Sequence, residues 1–467
     1  LYSKKSSYTD QKKDAEIFLK KIKYKNPIVI IDDYRLDFNW EKIISKKKIK
    51  VIVLDDSENK KHFCDTYINY KPNLIDHKKL DSNIFKKKDT KLLLGPKYAI
   101  IDCKQNRHIK KPIKNIFKIC FYMGGGGDFK FFNKIILHFI NLAAQFKKSF
   151  EINIIRGIAN KNLDKIRPLI NKYKFIKIID GRKNLDKKIS SMDLLIGSAG
   201  NIVYETSYYN IPSIFFEISK NQNNDQQSME KIGHYFVLDK FELKNYIKIA
   251  NLIYLILDNY KRVLKLVRNK KVVVDNNGLD RIVDSIVFNK KISNIRKNIF
   301  LNKDKDKEYF ISKKVKDNEI NEYLNSRNLF INRKVSFSQK KISRLNHYIW
   351  WFNSKRSSYS IIINKKKIMY LYDETFKINF KNYSLQGWFS TQNKFGIKEV
   401  LLALNWHKKY MSKKKNIDLS FGVIKKDNVI NFSKYLGWTP INEVSNEFQI
   451  LRKINQINKK YNYYIRN

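Results

Sequence analysis

The feature that most constrains this chain is a repeating alternation of short, continuously apolar runs with segments of helical character. "PIVIIDDY" (27–34) and "IKVIVLDD" (49–56) are two such runs, both closing on paired aspartates, with helix-like "WEKIISKKK" between them. A run apolar on both faces suits a parallel strand covered by helices, whereas a strand with one wet face would alternate. The chain therefore opens inside an α/β unit. After "LLLGPKYAIID" (92–102) a second series begins, with strand-like "IFKICFYM" (116–123), "FEINIIRGI" (150–158), "KFIKIID" (174–180), "DLLIGSAG" (193–200), "IPSIFFEI" (211–218) and "HYFVLD" (234–239). Helical segments from Phe241 to about Lys291 close it.

The pattern then changes. "NKKISNIRKNIFLNKDKD" (289–306) is charged and aperiodic, which predicts a linker. "YFISKKV" (309–315), "SYSIIIN" (358–364), "KIMYLYDETFKINF" (367–380) and "YSLQGWFS" (383–390) are consecutive strands of antiparallel character, followed by the helical "KEVLLALNWHKKYMSKK". The expected organisation is a first Rossmann-like lobe over 1–115, a second over 116–290, a linker over 291–306, an α+β domain over 307–445 and a basic tail over 446–467.

Lys and Arg number 95 against 44 Asp and Glu, a formal net charge of +51. Such a balance suits nucleic acid when it gathers on one face. Here the lysines recur in small clusters such as Lys46–Lys48 and Lys86–Lys88 along nearly every surface, so no specific nucleic-acid partner is expected. Cys64, Cys103 and Cys120 have no CxxC spacing, which argues against a disulfide framework or thiolate metal site and fits a reducing cytoplasm. No run approaches the roughly 20 apolar residues of a membrane span. The chain begins at Leu1 within a charged segment, and a preceding portion of the first lobe is expected.

Two small-residue turns carry the chemistry. "MGGGGDF" places Gly124–Gly127 between a strand and a helix, where Gly125 and Gly126 can bring amides close to an anion and Asp128 can cap the helix; the lesser alternative is a tight turn, which needs only one or two glycines. "GSAGN", Gly197, Ser198, Ala199, Gly200 and Asn201, is the second such turn. At the carboxyl ends of strands in one lobe, both would face a single crevice. Glu205, about one and a half turns into the following helix, would accept hydrogen bonds from vicinal hydroxyls or simply match the helix dipole. Asn221 and Gln222, in "SKNQ", would read sugar hydroxyls or form an ordinary polar loop.

"VIIDDYRLDFNWE", "LLGPKYAIID", "MGGGGD" and "DLLIGSAGNIVYETSYYNIPSIFFEISKNQ", in this order, resemble the nucleotide-sugar hydrolases of pseudaminic acid biosynthesis, relatives of the two-lobed GT-B glycosyltransferases. The resemblance covers about residues 10–290. It implies a GT-B-like pair of parallel-sheet lobes, the first incomplete, and release of UDP from a UDP-linked diacetamido-trideoxyhexose without metal or cofactor. The Gly197–Asn201 turn would then bind the diphosphate, Glu205 the ribose, Asn221 and Gln222 the sugar, and Tyr34 would face the sugar from the first lobe. The family's glycine-rich loop with its water-activating histidine has no counterpart among the seven histidines, so that residue is expected before Leu1. A GT-B transferase with an acceptor hydroxyl in place of water, or a non-catalytic UDP-sugar-binding protein, are the alternatives.

"YFISKKVKDNEINEYLNSRNLFINRKVSFSQKKISRLNHYIWWF" (309–352) and "DNVINFSKYLGW" (427–438) resemble the GNAT acetyltransferases that act on amino sugars of nucleotides. That implies acetyl-CoA as cofactor, with Gln392, Gly396 and Asn428 at its site. Two departures stand out: "QNKFGIKE" fits the family's pyrophosphate loop poorly, and Ser433 takes the place of the usual acidic tyrosine. His347, Trp350 and Trp351 read as core.

Overall fold

The computed structural model describes residues 10–57, 60–75, 80–105, 116–144, 149–216, 226–288, 309–336, 339–394, 396–414, 416–425, 436–454 and 461–466. The chain divides into two units, Leu1–Lys297 and Asn298–Asn467.

The first lobe of the first unit runs α1 (Gln11–Lys21), β1 (Ile28–Ile31), α2 (Phe38–Lys46), β2 (Lys50–Leu54), β3 (Thr66–Asn69) and β4 (Lys91–Leu94), with a parallel sheet in the order β1-β2-β3-β4. Asp37 starts α2 by accepting from the Asn39 amide. One sheet face, with Val29, Ile31, Val51 and Val53, packs on Ala15, Trp40 and Ile44 of the two helices. On β1 only that face is covered, so Ile28 and Ile30 stay exposed although the run is apolar throughout. Strand β3, "TYIN", carries a threonine, a tyrosine and an asparagine and escaped the apolar-run criterion.

The second lobe runs β5 (Ile116–Tyr122), α3 (Lys130–Ala143), β6 (Ser149–Arg156), α4 (Arg167–Lys172), β7 (Ile176–Asp180), α5 (Leu185–Ser190), β8 (Leu194–Ser198), α6 (Ile202–Tyr208), β9 (Ser213–Phe216), α7 (Gln226–Lys231) and β10 (Phe236–Leu238). These are the six strands expected, all parallel, in the order β10-β9-β8-β5-β6-β7. The order reverses between β5 and β8, the switch point at which open α/β sheets leave a crevice.

Helices α8 (Tyr246–Asp258) and α9 (Tyr260–Arg268) follow, and α10 (Gly278–Val287) returns to the first lobe. Its Ile282 and Ile286 cover Ile52, Ile68 and Leu93 on the second face of that sheet. The Nζ groups of Lys50 and Lys91 donate to the Ile286 and Ser285 carbonyls (2.7 and 2.8 Å), closing the helix end. The segment expected to belong wholly to the second lobe thus completes the core of the first.

The second unit is built on one mixed sheet: β11 (Phe310–Lys314), α11 (Ile320–Arg327), α12 (Phe330–Lys334), α13 (Arg344–Asn353), β12 (Ser357–Ile363), β13 (Lys366–Ile378), β14 (Lys381–Ser390), α14 (Ile397–Ser412), β15 (Leu419–Lys425), β16 (Thr439–Pro440), α15 (Asn446–Ile454) and β17 (Tyr461–Arg466). Among the described residues the order is β11-β12-β13-β14-β15-β17-β16, with β14–β15 the parallel pair. Period-2 alternation on β13 sends Met369 and Leu371 to Val400 and Ala403 of α14, and Tyr370 to Tyr323 of α11 on the opposite face.

The segment read as a basic tail is not one. β17 lies between β15 and β16, and Phe448, Leu451, Tyr461 and Tyr463 join Tyr383 and Phe421 in one buried cluster. His347, Trp350 and Trp351 are core as expected: they surround Tyr323, and the His347 ring bonds the Ile320 carbonyl at 2.8 Å.

Candidate functional site

Both small-residue turns lie at the switch point, and the glycines of the first divide by role. Gly124 has a φ of +68°, and a Cβ on Gly127 would lie 2.3 Å from the Met123 Cβ, so these two serve the turn itself. A Cβ on Gly125 or Gly126 would meet nothing within 4 Å. The turn explains the outer pair, and the inner pair faces open space.

The back of this loop is tied down by the segment after β6. Asn160 Nδ2 donates to the carbonyls of Gly124 and Gly127, both at 3.1 Å, while the amides of Ala159 and Lys161 donate to Gly125 and Gly127 (2.8 and 3.1 Å). The Asn160 carboxamide oxygen in turn accepts from the Gly157 amide. Carbonyls that would repel an anion are thereby engaged from behind. Asp128 accepts from the Lys130 amide at 2.9 Å, but the N-cap position of α3 falls on Phe129, so the cap expected of Asp128 is displaced by one residue.

The second turn leaves β8. Gly197 pairs with Tyr122 across β5–β8, so closely that a Cβ would stand 2.0 Å from the Tyr122 carbonyl oxygen. Ala199 is buried and its amide donates to Phe216 O. These two predicted binding residues are structural. Ser198, Gly200, Asn201 and Glu205, with Gly124–Gly127, line a cavity of about 400 Å³. Helix α6 begins at Ile202, so Glu205 sits in its first turn, earlier than the spacing suggested.

The Glu205 carboxylate has, among the described residues, no cation beside it. Burial first, and the Asp186 carboxylate second, push its pKa up to about 7. Asp186 is held by the Tyr209 hydroxyl and, at 3.1 Å, by the Lys104 amide in the segment between the lobes. A half-desolvated carboxylate in a cavity wall is a strong acceptor for paired hydroxyls.

The first lobe closes one side of this crevice. The Tyr204 hydroxyl donates to the Tyr70 carbonyl at 2.9 Å, the two rings meet edge to face at 5.3 Å, and the Tyr70 hydroxyl bonds the Asn201 side chain. Behind it lies a buried charged group: His62 Nδ1 is 2.8 Å from Glu41 Oε1 and its Nε2 is 3.3 Å from Asp55 Oδ2. Although burial opposes the charge, hydrogen bonds to Asp55 and Glu41 raise the His62 pKa to about 9. Tyr70, Asn160, Asp186 and this trio were not singled out from sequence. The aspartate pairs ending both early runs were the available signal.

Tyr34 is 55% exposed beyond β1, with Lys60 Nζ over its ring, and is not among the residues lining the cavity. Asn221, Gln222 and Asn428 lie outside the described residues. Gln392 is engaged by β13, its side-chain nitrogen donating to Lys367 O at 3.0 Å. The Glu399 carboxylate already occupies the space a Cβ of Gly396 would take at the start of α14. Among the described residues no His/Cys/Asp/Glu group is arranged to hold a metal, and no helix is long and apolar enough to cross a membrane.

Comparison with known proteins places this site in context. Residues 119–282 match the glycosyltransferase family 28 C-terminal domain. A UDP-N-acetylglucosamine–N-acetylmuramyl-(pentapeptide) pyrophosphoryl-undecaprenol N-acetylglucosamine transferase of Rickettsia massiliae is 27% identical over 146 residues, 30% of this chain and only 38% of that protein's length. The UDP-2,4-diacetamido-2,4,6-trideoxy-beta-L-altropyranose hydrolase of Campylobacter jejuni is 26% identical over 216 residues, 44% of this chain and 72% of that protein. Among solved structures, an N-acetyltransferase from Staphylococcus aureus overlays 34% of this chain and 98% of its own at 10% identity, with a TM-score of 0.27. The chain thus carries a lobe similar to the family 28 C-terminal domain, whose fold puts its glycine turns and Glu205 around one crevice.

Proposed function

We propose that this chain is an enzyme of UDP-sugar metabolism that releases UDP from a UDP-linked diacetamido-trideoxyhexose, with water as the acceptor, on a route to pseudaminic-type acids. The observation that carries the reading is the Glu205 carboxylate in the wall of the cavity formed by two glycine turns. In this reading Glu205 accepts from the ribose hydroxyls, and the amides around Gly125, Gly126, Gly200 and Asn201 receive the diphosphate. Similarity to the Campylobacter hydrolase favours water as acceptor, while similarity to the Rickettsia transferase favours an acceptor hydroxyl.

Calorimetry with UDP, CDP and GDP on the chain and its Glu205→Ala variant tests the nucleotide site. Micromolar UDP binding that the variant loses supports the reading; equal weak binding of all three by both proteins removes it. UDP release from the diacetamido sugar nucleotide without any acceptor then separates hydrolysis from transfer. For the second unit the proposed activity is N-acetylation of the same sugar nucleotide. The engaged Gln392 and the Glu399 carboxylate at Gly396 do not fit an acetyl-CoA pyrophosphate at that loop, so its binding is put to the same calorimetry.

A further inference from the structure

Adjacent strands of the first lobe end side by side at the crevice. β2 and β3 run in register with Leu54 beside Ile68, and the Asp55 amide donates to Ile68 O at 3.2 Å. Asp56 and Tyr70 are therefore neighbours at the two carboxyl ends. Tyr70 reaches Asn201 in the cavity wall and receives the Tyr204 hydroxyl on its carbonyl. Asp56, half-buried, is near enough that its charge acts on the phenols of both Tyr70 and Tyr204.

The residue before it is fixed with unusual care. Asp55 accepts from the Ser57 amide and hydroxyl, both at 2.7 Å, lies 3.5 Å from Lys60 Nζ, and faces His62. The far side of His62 is held by Glu41, whose second oxygen accepts from the Phe63 amide at 2.5 Å. Three charged groups buried together contribute little to stability, because desolvation offsets their attraction. Their arrangement does fix where the β2 end, and so Asp56, stands.

In the reading above ribose lies on Glu205 and the diphosphate on the glycine turns, and the sugar is taken to face the first-lobe side of the crevice, where Tyr70 reaches Asn201. We propose that Asp56 is the catalytic base of the hydrolysis and that Glu41, His62 and Asp55 are positioning residues for it; the inference rests on the hydrolytic reading above. The water oxygen bonds the anomeric carbon as that carbon's bond to the diphosphate oxygen breaks. The bonding pair leaves with UDP, and the water proton passes to the Asp56 carboxylate and later to solvent.

The test uses the full chain with UDP-2,4-diacetamido-2,4,6-trideoxy-β-L-altropyranose, reading kcat from UDP release and UDP affinity by calorimetry. Loss of a general base costs about 10²- to 10⁴-fold. Asp56→Asn is expected to lose kcat in that range with UDP affinity within about twofold, and added formate is expected to restore part of the turnover of Asp56→Ala. His62→Gln is expected to lower kcat about tenfold at unchanged UDP affinity. An Asp56→Asn kcat within threefold of the parent overturns the proposal, as does a loss in Asp56→Ala that formate leaves untouched. A parent chain that binds UDP yet releases none from the substrate sinks the hydrolytic reading itself, and this proposal with it, before any variant is made.

Discussion

Replacing Glu205 by Gln separates the cost of the site from its use. In the folded chain burial and Asp186 raise this carboxyl from 4.5 to about 7. The sign follows from the direction: a raised carboxyl binds its proton more tightly when folded, so the penalty is nearly absent below the ordinary carboxylate range, grows between about 4.5 and about 7 and levels off above that. A carboxyl raised from 4.5 to about 7 costs about 3 kcal/mol of stability at pH 8 and almost nothing at pH 4.5. Glu205→Gln removes the ionisation while keeping the shape. It is therefore expected to raise the melting temperature of the unliganded first unit by about 5 °C at pH 8, with little change at pH 4.5. The same substitution removes a charged acceptor for two hydroxyls and is expected to weaken UDP binding about 10- to 100-fold. Differential scanning calorimetry at the two pH values, with titration of UDP, reads both effects. An equal change in melting at both pH values, or unaltered UDP affinity, would refute the reasoning.

Three further outcomes follow from the packing. Gly197→Ala forces a Cβ to 2.0 Å from the Tyr122 carbonyl oxygen, so β5 and β8 must separate; a loss of about 2–3 kcal/mol in urea unfolding is expected, together with loss of UDP binding. Asn160→Ala frees the Gly124 and Gly127 carbonyls and is expected to weaken UDP binding about tenfold at a cost of only about 1 kcal/mol in stability; calorimetry and urea unfolding read the two numbers, and unchanged affinity would show that the loop needs no support. A chain ending at residue 445 loses Phe448, Leu451, Tyr461 and Tyr463 from one cluster, at about 1.5–3 kcal/mol each. Together that is comparable to the whole margin of an ordinary domain, so the second unit's melting transition should vanish while the first unit's persists.

The parallel lobes were legible because burial on both faces writes itself into the chain as apolar runs, and each of the six second-lobe strands carries a core of Ile, Leu, Val or Phe. β3 was not, because "TYIN" buries a tyrosine and an asparagine that bond each other, the Asn69 Nδ2 to the Tyr67 hydroxyl at 3.2 Å. Composition cannot distinguish a satisfied buried polar pair from a loop. The same holds for "YNYYIR", whose tyrosines join a sheet that only the fold assembles, and which a basic, asparagine-rich context disguises.

The site shows the same division. The glycine turns and Glu205 are local in sequence, and the crevice follows from strand order. What sequence spacing could not sort is which small residues pack against backbone and which line the cavity: Gly197 and Ala199 look like Gly200 until the Tyr122 carbonyl and the Phe216 carbonyl are placed against them. The first lobe's contribution was hidden more deeply. Spacing gave His62 no role, because its partners, Glu41 and Asp55, come from a helix and a strand end that meet only in the folded lobe. Yet the trace was there, since two successive apolar runs end in paired aspartates at the carboxyl ends of parallel strands. Asp33 has Arg35 at 2.6 Å and Asp55 has His62, while the charges of Asp32 and Asp56 act on Tyr70, so both pairs bear on the first lobe's edge of the crevice.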